Sequence, residues 1–76
     1  MRVRVDHKAD AVYLNLTDHE IAESEEVADG IVVDYDAEGR IVGLEILDAS
    51  RRTGDPGVLK QFSFELPSGS SRGSVR

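Results

Sequence analysis

Cysteine is absent from the 76-residue sequence. Disulfides and thiolate metal sites are therefore excluded. No apolar run comes near the roughly 18 residues that a membrane-spanning helix needs. The first ten residues, MRVRVDHKAD, lack the apolar stretch of a signal peptide. A cytoplasmic location, with no membrane partner, is the resulting expectation. Positive charge is scarce too. Nine Lys and Arg stand against fifteen Asp and Glu, a net charge of −6. Proteins that grip a duplex carry a basic stripe, because neutralising phosphates drives binding. Here the first half is acidic instead, through Asp6, Asp10, Asp18, Glu20, Glu23, Glu25, Glu26 and Asp29. Direct nucleic-acid binding is disfavoured. Such charge suits a basic partner protein, or serves solubility alone.

Signatures of catalysis are missing as well. Ser24, Ser50 and Ser63 stand outside any recognisable nucleophile motif. Gly39 and Gly43 are isolated, so no glycine loop cradles a phosphate. His7 and His19, the only histidines, fall in turns beside acids. A metal site or acid–base pair there is conceivable, but turn histidines beside acids are ordinarily just solvated. No catalytic constellation assembles, and the sequence implies no cofactor.

What is present is strand periodicity. A chain this short forms one domain and buries only about 60% of the surface its unfolded form exposes. RVRV (2–5) and AVYLNL (11–16) alternate apolar and polar residues, the period of a half-exposed strand. IAESEEV (21–27) reads as an edge strand, because interleaved glutamates discourage stray pairing. IVVDYD (31–36) and RIVGLEIL (40–47) are rich in β-branched residues. DASRRTGDPG (48–57) is loop-like. Asp48 reads as a turn or helix cap, and Asp55-Pro56 as the start of one helical turn. FSFEL (62–66) alternates like a short sixth strand, with a helix from Val58 to Leu66 as the rival reading. PSGSSRGSVR (67–76) is Gly/Ser-rich and is expected to be a disordered tail. The expected fold is mostly β, with a small α+β arrangement as the variant. It is an antiparallel meander of five to six short strands over residues 1–66, with at most one short helix near the C-terminus.

The stretch DYDAEGRIVGLE (34–45) poses the sharpest question. Its acids and glycine match the spacing of an EF-hand calcium loop: Asp34, Asp36, Glu38, Gly39 and Glu45. An EF-hand needs a helix on each side, and Gly30-Ile31-Val32-Val33 is a poor helix former. The same residues make a β-hairpin. Asp36 and Gly39 suit the first and fourth positions of a type I turn, with Gly39 left-handed in a bulge. Pairing outward from Asp36–Arg40 gives Tyr35–Ile41, Asp34–Val42, Val33–Gly43, Val32–Leu44 and Ile31–Glu45. In that register Asp34 and Asp36 share a face and Glu45 lies on the other, so the three acids do not converge. A second bulge would reverse the parity of Glu45. If buried on an apolar face, Glu45 would have a raised pKa.

That register also makes the hairpin apolar on both sides. Ile31, Val33, Tyr35 and Ile41 line one face; Val32, Val42, Leu44 and Ile46 line the other. Both would need cover. Phe62, Phe64 and Leu66 could supply it within the chain. The other reading is that a second copy or a protein partner does.

Two stretches carry a family resemblance. DHKADAVYLNL holds Asp6, Asp10, Ala11 and Tyr13. GIVVDYDAEGRIVGLEILDAS holds Gly30, Asp34-Tyr35-Asp36, Gly39, Gly43, Glu45 and Leu47-Asp48-Ala49-Ser50. Over residues 1 to about 53 the chain resembles a small bacterial and archaeal family, domain-of-unknown-function family twenty-two eighty-three. The resemblance implies a small β-rich protein with no assigned activity or catalytic residues. Some members lie beside genes resembling ribosome-dependent RNase toxins, so it also implies an antitoxin-like role. The functional expectation is a non-enzymatic protein-interaction module, with a basic protein partner or a homodimer. The alternative is a metal- or small-ligand-binding protein, or an enzyme, using Asp34, Asp36 and Glu45.

Overall fold

Alternation in the sequence becomes an antiparallel sheet. The structure is a computed structural model, and it describes residues 1–67. Five strands form: β1 (Arg2–Asp6), β2 (Ala11–Asn15), β3 (Glu23–Ala28), β4 (Ile31–Tyr35) and β5 (Ile41–Ile46). A short helix α1 (Ala49–Thr53) and a 3-10 turn (Val58–Lys60) follow. The chain is mostly β, as its periodicity implies. The expected tail lies outside the described residues from position 68 onward.

The strand order is β1-β2-β5-β4-β3. Neighbours in sequence pair in β1–β2, β3–β4 and β4–β5. The step from β2 to β3 departs from a plain meander. It carries the chain to the far edge, and β5 returns to pair with β2. Glu23, Glu25 and Glu26 thereby line one edge strand. Every residue of that strand is exposed, and a bulge sits between Glu26 and Ala28. Charge and bulge together blunt the edge against stray pairing.

The tip of the β4–β5 hairpin forms as its residues demand. Gly39 adopts φ 78° and donates its N–H to the Asp36 carbonyl at 3.0 Å. Asp36 N–H in turn reaches the Arg40 carbonyl at 2.9 Å. Beyond Tyr35–Ile41 the register differs from the expected one. A bulge absorbs Val42, so Asp34 opposes Gly43, Val33 opposes Leu44, Val32 opposes Glu45 and Ile31 opposes Ile46. The extra residue moves everything after it to the other face. Val42, Leu44 and Ile46 join Ile31, Val33, Tyr35 and Ile41, while Glu45 joins Asp34. The hairpin is apolar on one face, not on two.

That sorting extends across the sheet. Val3 and Val5 of β1 pair with Leu14 and Val12 of β2, and these pair with Leu44 and Ile46 of β5. The opposite face runs Arg4–Tyr13–Glu45–Val32–Glu26 along one row. It is polar apart from Val32. One face apolar and one polar is the usual state of an antiparallel sheet.

FSFEL forms neither the sixth strand nor the helix proposed for it. The 3-10 turn ends at Lys60, and Phe62, Phe64 and Leu66 stay 62%, 79% and 88% exposed. Alternation makes a strand only where an edge accepts its ladder of hydrogen bonds. Here Phe62 and Phe64 lie beside Val3 and Val5 around an apolar groove of about 640 Å³. Residues 48–57, expected as loop, contain α1. Asp48 stands at its N-cap, but in a left-handed conformation (φ 55°) with no capping hydrogen bond.

Little covers the sheet. Among the described residues, Ala11, Val33, Val42 and Ala49 are the buried apolar side chains. The helix and the 3-10 turn contact each other more than they contact any strand.

Candidate functional site

The acids of the hairpin divide between two environments. Asp36 belongs to the turn. Its Oδ1 accepts the N–H groups of Glu38 and Arg40, each at 2.9 Å. Its Oδ2 lies 3.3 Å from both Arg40 Nε and His19 Nδ1. The Arg40 N–H does most to hold the Asp36 pKa down, from its ordinary 3.8 to about 2, while burial opposes the shift. The Glu38 N–H, His19 and the Arg40 charge add to the lowering. These bonds favour the charged carboxylate, and they occupy the oxygens that a calcium loop would turn toward an ion. Arg40 also pairs with Glu38.

Asp34 and Glu45 belong to the polar face of the sheet. Asp34 is only 5% exposed and accepts the Ser24 hydroxyl proton at 2.6 Å. Through the Val42 bulge it shares a face with Glu45, two residue pairs along. Burial raises the Glu45 pKa, and the Asp34 charge and a hydrogen bond with Asp34 add to that rise. Arg4 opposes it and also lies over the Tyr13 ring, 4.7 Å from its centroid. Two carboxyls in contact favour sharing one proton. The raised pKa expected for a buried Glu45 is present, but on the polar face, where Glu45 lies between Tyr13 and Val32 with Asp34 nearby.

Strands flank residues 34–45 on both sides, where a calcium loop would have helices. Among the described residues, no three His, Asp or Glu side chains gather where one metal ion could be held. Asp36 meets His19, Asp34 meets Glu45, and the two pairs remain separate. His7 lies in the β1–β2 turn, where its carbonyl accepts the Asp10 N–H at 3.4 Å.

Ser24 and the pairing of Asp10 with Ser50 were not legible as partnerships. Ser24 meets Asp34 only through the β3–β4 register. Both oxygens of Asp10 accept the Ser50 N–H at 3.1 Å, and Oδ2 accepts the Ser50 hydroxyl at 2.8 Å. The Asp10 carbonyl accepts the Ala49 N–H at 2.8 Å. Asp10 thus caps α1 from a distant turn.

The second feature is the apolar face itself. Val3 is 40% exposed at one margin and Ile41 51% near the hairpin tip. On the same face the β3 edge presents Glu23 and Glu25, paired in register with Tyr35 and Val33. Among the described residues, Glu20, Glu23 and Glu25 have no cation within ion-pair distance. No helix among those residues is long and apolar enough to cross a membrane.

The two stretches that carry the family resemblance meet in this structure. Asp10 of the first holds Ser50 of the second, and β2 pairs with β5. A family model described as "Protein of unknown function (DUF2283)" matches residues 2–50. No curated protein and no solved structure matches the chain. The chain belongs to the DUF2283 family, and the matched segment holds all five strands and the start of α1.

Proposed function

We propose that this domain is a non-enzymatic protein-interaction module working through the apolar face of its sheet. One observation carries the reading: a five-stranded sheet, apolar on one side, has no helix packed broadly on it among the described residues, and of the apolar side chains on that face only Val33 and Val42 are buried. Stable domains bury such a face against another layer. Exposed apolar patches of this kind mark interaction surfaces. Asp36 is committed to its turn and Asp34 accepts the Ser24 hydroxyl, which favours this reading over one in which the hairpin acids do chemistry.

Site-specific photocrosslinking in the native cell tests the proposal. A photoreactive residue at Val3 or Ile41 samples the apolar face. One at Arg2 or Asn15 samples the polar face. Discrete adducts from Val3 and Ile41, with none from Arg2 and Asn15, are the expected result. Equal labelling from both faces, or none from either, overturns it.

A further inference from the structure

The apolar face is not uniform, and its asymmetry says what fits there. Its middle strands, β2, β5 and β4, carry aliphatic side chains. One margin carries Val3 and Val5 beside Phe62 and Phe64. The other margin, β3, carries Glu23 and Glu25 on the same face. Among the described residues, five arginines are placed elsewhere. Arg2 and Arg4 point to the polar face by their pairing with Asn15 and Tyr13. Arg40, Arg51 and Arg52 stand by Asp36, Asp48 and Asp29.

A second copy answers this pattern poorly. Two such faces stacked about a two-fold axis across the strands set Glu23 and Glu25 against their own equivalents. Stacked about an axis along the strands, the glutamates cover Val3 and Val5. The first arrangement places like charges together, and the second buries charge on apolar surface without a partner.

We infer that the apolar face docks a basic amphipathic helix of another protein, its apolar stripe over β2, β5 and β4 and its Lys or Arg flank over Glu23 and Glu25. This rests on the interaction-module reading above and adds the chemistry of the partner. The dimensions agree. Five strands at about 4.8 Å spacing place the two margins about 19 Å apart. A helix of about 10–12 Å diameter fits between them, and its basic side chains extend sideways while their stems cover apolar surface. The carboxylates supply orientation and encounter rate, and the aliphatic band supplies affinity.

The test is an amide-NMR titration of the full chain with three synthetic peptides of roughly 18 residues, long enough for a helix to form on binding. One is a Leu/Lys peptide with leucines at helical spacing. The second has the same composition in scrambled order. The third is a Leu/Glu peptide with the first one's pattern. The expected result is saturable one-to-one binding of the patterned Leu/Lys peptide alone, with shifts in β2, β5, β4 and at Glu23 and Glu25. Glu23→Lys/Glu25→Lys should weaken it about tenfold, and Glu23→Gln/Glu25→Gln should weaken it less. Both pairs change exposed side chains, and an unchanged spectrum away from β3 confirms that the sheet persists. Unchanged affinity in these variants, or equal binding of the Leu/Glu or scrambled peptide, overturns the inference and leaves the interaction module standing. So does a chain that sediments as a dimer and binds no peptide, because the occupant is then a second copy. A monomer that binds none of the peptides and gives no apolar-face photoadduct removes both.

Discussion

Asp10, in the turn between β1 and β2, caps helix α1 by receiving the N–H and hydroxyl of Ser50, 40 positions along the chain. The residue at the N-cap itself, Asp48, makes no capping bond. One carboxylate therefore ties the first hairpin to the segment that follows the last strand. Asp10 does so with φ 55°, a left-handed conformation that Asp tolerates better than most side chains.

Asp10→Ala removes the cap and leaves a β-carbon in left-handed backbone. Stability should fall by about 1–2 kcal/mol. Asp10→Asn keeps an acceptor and should cost less. Ser50→Ala, which loses only the hydroxyl bond, should fall between wild type and Asp10→Ala. Urea unfolding midpoints measure the series, and equal midpoints for Asp10→Ala and wild type would show that the cap has no energetic weight.

Gly30 and Arg52 form a second link. Gly30 has φ 78°, and a β-carbon there would collide with the Arg52 guanidinium. Arg52 Nε donates to the Leu47 carbonyl at 3.0 Å, and the Leu47 N–H donates to the Gly30 carbonyl at 2.8 Å. Gly30→Ala should destabilise by more than about 1 kcal/mol. The collision and the backbone strain separate in a double-mutant cycle with Arg52→Ala. Alanine at 30 should cost less once Arg52 is gone, but still more than zero. Identical costs in both backgrounds would place the whole effect in the backbone.

Acid should act on two carboxyls in opposite directions. Asp36 has its pKa lowered to about 2. Its contribution is present above its ordinary 3.8 and is lost as pH falls toward about 2. Glu45 is raised above its ordinary 4.5. Its contribution is present below 4.5 and is lost as pH rises through the folded-state pKa. Melting temperatures between pH 2 and 7 should therefore show Asp36→Asn flattening the acid limb. Glu45→Gln should match wild type at low pH and exceed it near pH 7. A Glu45→Gln chain less stable at pH 7 than wild type would contradict the raised Glu45 pKa.

The Val42 bulge sets which face Glu45 occupies. Val42 is 1% exposed, and Val42→Ala should cost roughly 2 kcal/mol in lost packing. Deleting Val42 removes the bulge and leaves Asp34 opposite Gly43 and Val32 opposite Glu45, so Glu45 stays on the polar face and the change removes the buried Val42 side chain together with the local bend. The deletion should cost at least as much as Val42→Ala and leave unfolding cooperative. A deletion chain with the wild-type urea midpoint would show that the bulge and the Val42 side chain are dispensable.

Much of this was legible in the residues. Alternation in RVRV and AVYLNL and the β-branched residues of IVVDYD mark strands, because both are local properties of the backbone and its neighbours. Asp36 and Gly39 mark the hairpin tip for the same reason: a type I turn with a left-handed glycine is decided within five residues. The glutamates of β3 mark an edge. The Asp34–Glu45 contact was not legible, since a bulge adds one residue to a strand without altering its composition. The expected register was right at Tyr35–Ile41 and wrong by one from Asp34 onward. FSFEL misled in the opposite way, because Phe62, Ser63 and Phe64 have the periodicity of a strand and lack the partner that makes one.

The sequence by itself determined where the five strands and the β4–β5 turn lie, that the chain is acidic, and that thiol chemistry is excluded. These depend on side chains a few positions apart or on simple counting. Only the tertiary structure decided that β5 returns to β2, that Val42 bulges, that Asp10 meets Ser50 and that one face is apolar while the other holds the carboxyl pair. Each of those is a pairing between distant segments, selected by burial and hydrogen bonding across the whole sheet, and no local pattern encodes which partner a strand will find.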